Sequence, residues 1–150
     1  MLTEIAQEVM TCQRCALAAT RTLAVPGEGP ITAPIMFIGE GPGEQEDRSG
    51  RPFVGAAGQL LNQLLERAGL SRPEIFITNI VKCRPPRNRD PLPGEVEACR
   101  PYLTAQIALI NPVVICLLGK PATHTLLSPD MSMGRVHGVP HVVGGITYVP

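Results

Sequence analysis

The chain has 150 residues, enough for one domain with a sizeable core, and 44% of them are hydrophobic against 17% charged. Its 13 basic and 13 acidic residues cancel, which argues against a protein that coats nucleic acid through bulk charge. The longest apolar runs, such as Val113–Leu118, are too short to cross a bilayer, and Met1-Leu2-Thr3-Glu4 lacks the features of a signal peptide, so a single cytoplasmic domain with no membrane partner is expected.

In chain order, Leu2, Ile5, Ala6, Val9 and Met10 carry the spacing of a short amphipathic helix over residues 2–10. A turn-rich stretch runs to Pro34, and Ile35-Met36-Phe37-Ile38 then reads as a buried strand that empties into the loop Gly39-Glu40-Gly41-Pro42-Gly43. Leu60, Leu61, Leu64, Leu65 and Ala68 mark one face of a helix over 56–68, with Gly69 suited to the left-handed stop after it. Ile75–Ile80 is the second strand. A loop rich in proline and arginine leads to a helix over 94–110, which Pro101 is expected to kink or loosen. Val113–Leu118 is the third strand, a short helix follows over 121–127, and a glycine-rich turn precedes a fourth strand at Ile146–Val149. Wholly apolar strands alternating with helices predict an α/β fold on a parallel sheet covered on both faces. Ligands of such sheets sit beyond the carboxyl ends of the strands, which singles out Gly39–Gly43, Asn79 and Gly119.

Three glycines in five residues allow backbone to approach a ligand closely. The dinucleotide-binding spacing is absent, because Glu44 occupies the place of its third glycine, and there is no phosphate-binding lysine. Glu40, Glu44, Glu46 and Asp47 would repel a phosphate, so a neutral, hydrogen-bonded ligand suits the loop better. Phe53, held between Pro52 and Gly55 outside any apolar run, reads either as a core anchor or as a platform for a planar base. Asn79 closes a buried strand. Its amide can satisfy loop backbone, or it can match N3–H and O4 of uracil while opposing the reversed pattern of cytosine.

Five cysteines in a chain with no export signal point to metal or redox chemistry rather than disulfides. Cys12 and Cys15 form a close pair, fifteen residues separate Cys83 from Cys99, and Cys116 within a strand reads as a small hydrophobe. Four thiolates outside the sheet suit zinc and an iron–sulfur cluster equally. The segment 82–89 holds Lys82, Arg84, Arg87 and Arg89 with no acid, a cluster that reads either as a solvated loop or as a nucleic-acid contact.

Taken together, Gly39-Glu40-Gly41-Pro42-Gly43-Glu44-x-Glu46-Asp47 and Gly50-Arg51-Pro52-Phe53-Val54-Gly55-x-Ala57-Gly58 resemble the first active-site motif of the family 4, iron–sulfur uracil-DNA glycosylases. Ile77-Thr78-Asn79-x-Val81-Lys82-Cys83-Arg84-Pro85-Pro86-x-Asn88-Arg89 resembles their second signature, and the cysteine spacing is similar as well. The resemblance implies a monomer that flips uracil out of DNA and hydrolyses its glycosidic bond. The implied fold is a three-layer α/β/α sandwich on a four-stranded parallel sheet. Cys12, Cys15, Cys83 and Cys99 would hold a structural [4Fe–4S] cluster. Glu40, Gly41 and Pro42 would meet the uracil ring, Phe53 would stack on it, Asn79 would read its edge, and Glu46 would lie near C5. Glu40 would position the attacking water, with Glu46 as the second choice. A related branch that becomes covalently trapped on DNA carries a basic insertion with a histidine, whereas here Cys83 runs directly into Arg84-Pro85-Pro86. Family members also carry a His-Pro motif just after the strand that corresponds to Ile146–Val149. The sequence stops at Pro150, and His124, His137 and His141 all precede that strand, so the domain is expected to be C-terminally incomplete. The alternative is a non-catalytic iron–sulfur module that binds DNA, or an inactive fragment of such an enzyme.

Overall fold

A computed structural model describes all of residues 1–150. The elements run α1 (Leu2–Met10), α2 (Leu17–Thr20), β1 (Ile35–Gly39), α3 (Glu44–Ser49), α4 (Ala56–Arg67), β2 (Phe76–Asn79), α5 (Pro93–Ile110), β3 (Val114–Leu117), α6 (Lys120–Leu126), α7 (Met133–Val136), β4 (His141–Val143) and β5 (Ile146–Val149). The sheet order is β2-β1-β3-β5-β4. Four strands are parallel, with Phe37 beside both Ile77 and Cys116. No helix is long and apolar enough to cross a membrane.

The alternation of side chains along each strand builds two cores. Met36, Ile38, Phe76, Ile115 and Leu117 point to the layer that contains Leu103 and Ile110 of α5 and Ala122 of α6. Phe37, Ile75 and Ile77 point the other way, onto Leu61 and Leu65 of α4. The result is helices on both faces of the sheet. A third cluster lies away from the sheet, where Val9, Leu17, Ala24, Val81 and Tyr102 surround the cysteines.

Two expectations need correction. The sheet has five strands rather than four, because His141–Val143 pairs antiparallel with β5. Gly144 and Gly145, with φ of 58° and 82°, make the two-residue turn that a tight hairpin requires. The edge strand has no buried apolar run to mark it in the sequence, because Val142 and Val143 face solvent. On α4 the buried stripe is Leu61 and Leu65, whereas Leu60 and Leu64 are half exposed or more. Helix α5 runs on through Pro101, which lies on the exposed side. There, water can satisfy the carbonyl that proline leaves without a donor.

Candidate active site and cysteine cluster

The carboxyl ends of β1 and β2 lie side by side, with Gly39 beside Asn79. Beyond them is a cavity of about 90 Å³ lined by Gly41, Glu46, Phe53, Ala57, Gly58 and Asn79, among others. The structure thus brings Gly41, Phe53 and Asn79 together around one small space. Gly39 makes this packing possible, since a Cβ there would stand 2.5 Å from the Phe53 ring and 2.7 Å from Asn79 Oδ1. Asn79 is 2% exposed, and its Oδ1 has no hydrogen-bond partner. A buried amide oxygen left unpaired costs about 1–3 kcal/mol, so it is suited to a ligand that brings a donor.

Glu46 lines the same cavity, but its carboxylate is committed to the backbone. Oε1 accepts from the Gly43 N–H at 2.9 Å, and Oε2 accepts from Val54 and Gly55 at 2.9 and 2.6 Å. It therefore ties the glycine loop to the segment that carries Phe53. The neighbouring acids are likewise engaged. Asp47 accepts from the Thr22 N–H at 2.8 Å, and Glu44 pairs with Arg48. Acids in the first turn of α3 also suit the positive end of its dipole, so the charge that appeared to guard the loop from phosphate serves the local fold.

Glu40 and Pro42 lie outside the Phe53–Asn79 cavity. Both line an adjoining recess of about 220 Å³ with Gly41, Glu46, Asn88 and Arg89. Glu40 also borders a wider groove of about 760 Å³ with Asp90, Arg100, Lys120 and His124. Burial first, and the neighbouring Asp90 carboxyl second, push the Glu40 carboxyl up to about 7. It therefore exchanges its proton near neutrality.

The cationic segment is less uniform than its sequence. Arg89 makes a two-pronged ion pair with Glu95 at 2.8 and 2.9 Å, and Arg84 donates to Asn88. Arg87 is exposed at the tip, where Arg87 and Asn88 are both left-handed, with φ of 56° and 57°. Lys82 is 1% exposed, and its ammonium donates to Thr78 Oγ1, to the Asn79 carbonyl at 2.9 Å and to Gln106 Oε1 at 2.7 Å. It thereby braces the strand end that carries Asn79, a role its place in a run of cations gave no sign of. The apolar neighbours Ile80 and Val81 were the available clue that the chain there is still inside.

Cys12, Cys15, Cys83 and Cys99 line one cavity with Arg14, Arg21 and Tyr102, while Cys116 packs beside the α4 core. N–H groups already point at three of the sulfurs. Arg14 N approaches Cys12 Sγ at 3.5 Å, Arg21 Nη1 approaches Cys83 Sγ at 3.2 Å, and Lys82 N approaches Cys99 Sγ at 3.3 Å. Burial raises the Cys83 thiol and pushes Cys99 up to about 11, so both are neutral at ordinary pH unless a cation draws off the proton. The void between the sulfurs is only about 10 Å³, and no three acid, cysteine or histidine side chains are grouped as a single metal ion would need. The donor chemistry, four thiols around one void, suits a thiolate-bound group.

The family description "Uracil DNA glycosylase superfamily" fits residues 26–148. The chain is 52% identical to the type-4 uracil-DNA glycosylase of Sulfurisphaera tokodaii, over 99% of this chain and 66% of that protein. It is 46% identical to the type-4 uracil-DNA glycosylase of Thermotoga maritima, over 97% of this chain and 77% of that protein. A type-5 uracil-DNA glycosylase of Thermus thermophilus is 38% identical over 69% of this chain. The chain belongs to the uracil-DNA glycosylase superfamily and, within it, to the type-4 family. It spans 66% of the length of the Sulfurisphaera tokodaii relative and 77% of the Thermotoga maritima relative.

Proposed function

We propose that the protein removes uracil from DNA by hydrolysing the bond between the base and the deoxyribose. One observation carries this reading: the buried, partnerless Oδ1 of Asn79 in a cavity shared with Phe53. Uracil offers N3–H to that oxygen and O4 to the amide N–H, whereas cytosine sets an acceptor against the oxygen. A flipped-out base would stack on Phe53 while Asn79 reads its edge, and unstacking it from DNA costs roughly a few kcal/mol. Cleavage leaves negative charge on the base, and fixed donors around it stabilise that charge. Glu40, in the adjoining recess, would hold the water that attacks the sugar once its carboxyl is ionised. Glu46 would act through the two loops it ties together. Arg87 at the exposed loop tip would meet phosphate.

Cys12, Cys15, Cys83 and Cys99 would hold a [4Fe–4S] cluster, which would supply cross-linking rather than bond-breaking chemistry. They would join the segment after α1 to α5 and to the loop following Asn79. The protein would act as a monomer in the cytoplasm.

The experiment is to incubate the protein with a single-stranded oligonucleotide bearing one uracil and to measure abasic sites by alkaline cleavage, with a cytosine strand as control. Uracil release that is lost in Asn79→Ala supports the reading. Binding that favours uracil without any release would favour a non-catalytic DNA-binding module. Indifference between the two strands would overturn the proposal.

A further inference from the structure

Phe53 is the least relaxed residue of the cavity. It adopts φ of 51°, a left-handed backbone that a bulky side chain reaches only when its surroundings impose it. Two features allow and hold it. Gly58 leaves room for the Phe53 backbone, since any Cβ there would collide with the Phe53 carbonyl. From the other side comes Arg72, nineteen residues on, just before β2. Its Nη1 donates to the Phe53 carbonyl at 2.9 Å and its Nη2 to the Pro52 carbonyl, so one planar fork grips two successive peptide groups. Nη1 also donates to Asn62 Oδ1 on α4 at 2.9 Å, and Nη2 lies 3.5 Å from Glu28 Oε2. Glu28 is itself held by both Nε and Nη2 of Arg51, each at 2.9 Å. The guanidinium is thus fixed to a helix and to a second ion pair before it reaches the loop, and its side chain is only 19% exposed. Arg72 is absent from the cavity wall.

The geometry points to Arg72 as a positioning residue for base stacking: its fork on the Pro52 and Phe53 carbonyls holds the Phe53 ring at the cavity although Arg72 never meets the base. This rests on the reading of Phe53 as the stacking surface. A lysine could donate to one of the carbonyls but could not span both as a planar fork. Without the fork, Phe53 would relax toward ordinary φ, its carbonyl would swing away and its ring would leave the position that excludes a Cβ at Gly39.

The test labels the protein with 4-fluorophenylalanine. There are three phenylalanines, so the ¹⁹F spectrum carries three signals, with Phe53 assigned by its loss in Phe53→Ala. Arg72→Met is expected to shift or split the Phe53 signal and leave that of Phe76, which packs in the opposite core, in place. Arg72→Lys takes its place should the methionine variant fail to fold. Affinity for a uracil strand relative to a cytosine strand should fall at least about fivefold, the low end of what one lost base–aromatic stack costs. Adding Arg72→Met to Phe53→Ala should cost nothing more. An unmoved Phe53 signal, a shift of all three signals, or additive losses in the double variant would overturn the inference. Unchanged uracil preference in Phe53→Ala would instead overturn the stacking reading, whatever the Phe53 signal does.

Discussion

Replacing Glu46 by glutamine separates two roles that look alike in sequence. The carboxylate accepts from three backbone N–H groups, two on Oε2 and one on Oε1. A glutamine has one acceptor oxygen. Its best orientation keeps that oxygen on Val54 and Gly55 and turns its own NH₂ toward the Gly43 N–H, which leaves a donor facing a donor. Losing one charge-assisted hydrogen bond and stranding its partner should cost about 1.5–3 kcal/mol. For a chain of this size that lowers the thermal midpoint by about 3–12 °C. Glu46→Ala strands all three donors and should cost more. The assay pairs thermal unfolding with single-turnover uracil release well below the midpoint. A positioning carboxylate predicts that Glu46→Gln loses stability and some rate together and keeps the pH profile of the parent. If its midpoint were unchanged while the rate collapsed, the carboxylate would be acting on the substrate and the backbone-tie account would be wrong.

Glu40 provides a pH test. Its carboxyl lies at about 7 in the folded protein against an ordinary 4.5, so the stability it contributes is fully present below 4.5 and lost as pH rises through about 7. Asp90→Asn removes one cause of that shift, so both the thermal midpoint and the rate should change with pH at a lower value than in the parent; identical profiles would clear Asp90 of any influence on Glu40. Anaerobically purified protein should contain iron and acid-labile sulfide with broad visible absorbance, and Cys99→Ser should lose much of all three, whereas stoichiometric zinc would contradict the cluster. Lys82→Met leaves the Asn79 carbonyl and Gln106 Oε1 without their donor in the interior, so it should lower stability by at least about 2 kcal/mol in urea unfolding. A neutral substitution would mean that the buried ammonium is not bracing Asn79.

Much of this was legible in the sequence. Continuous apolar runs mark β1 and β3, and the run Ile75-Phe76-Ile77 marks the start of β2, because strands buried on both faces carry little polar alternation. Short spacings bring the glycine loop and Phe53 together, since α3 and the turn after it are the only structure between them. The cysteines could be grouped because four lie outside the sheet. The features without a sequence signal depend on contacts between distant segments. Edge strand β4 is set by a hairpin and not by burial. Arg72 reaches Phe53 across nineteen positions, and Lys82 reaches Gln106 on α5 across twenty-four. A buried lysine in a run of cations has no sequence signature, because its burial follows from where the strand end lies. Glu46 illustrates the same limit, since its position in the motif was legible while its three backbone donors were not.

The most direct measurement compares release and binding of uracil with those of 3-methyluracil in otherwise identical single strands. The methyl group removes the N3–H donor and leaves O2, O4 and the ring face in place. If Asn79 Oδ1 is the reader, the parent should favour uracil over 3-methyluracil by about tenfold or more, the equivalent of about 1.4 kcal/mol at one buried acceptor. In Asn79→Ala that preference should largely vanish. A parent protein that handles both bases alike would show that N3–H is not what the cavity reads.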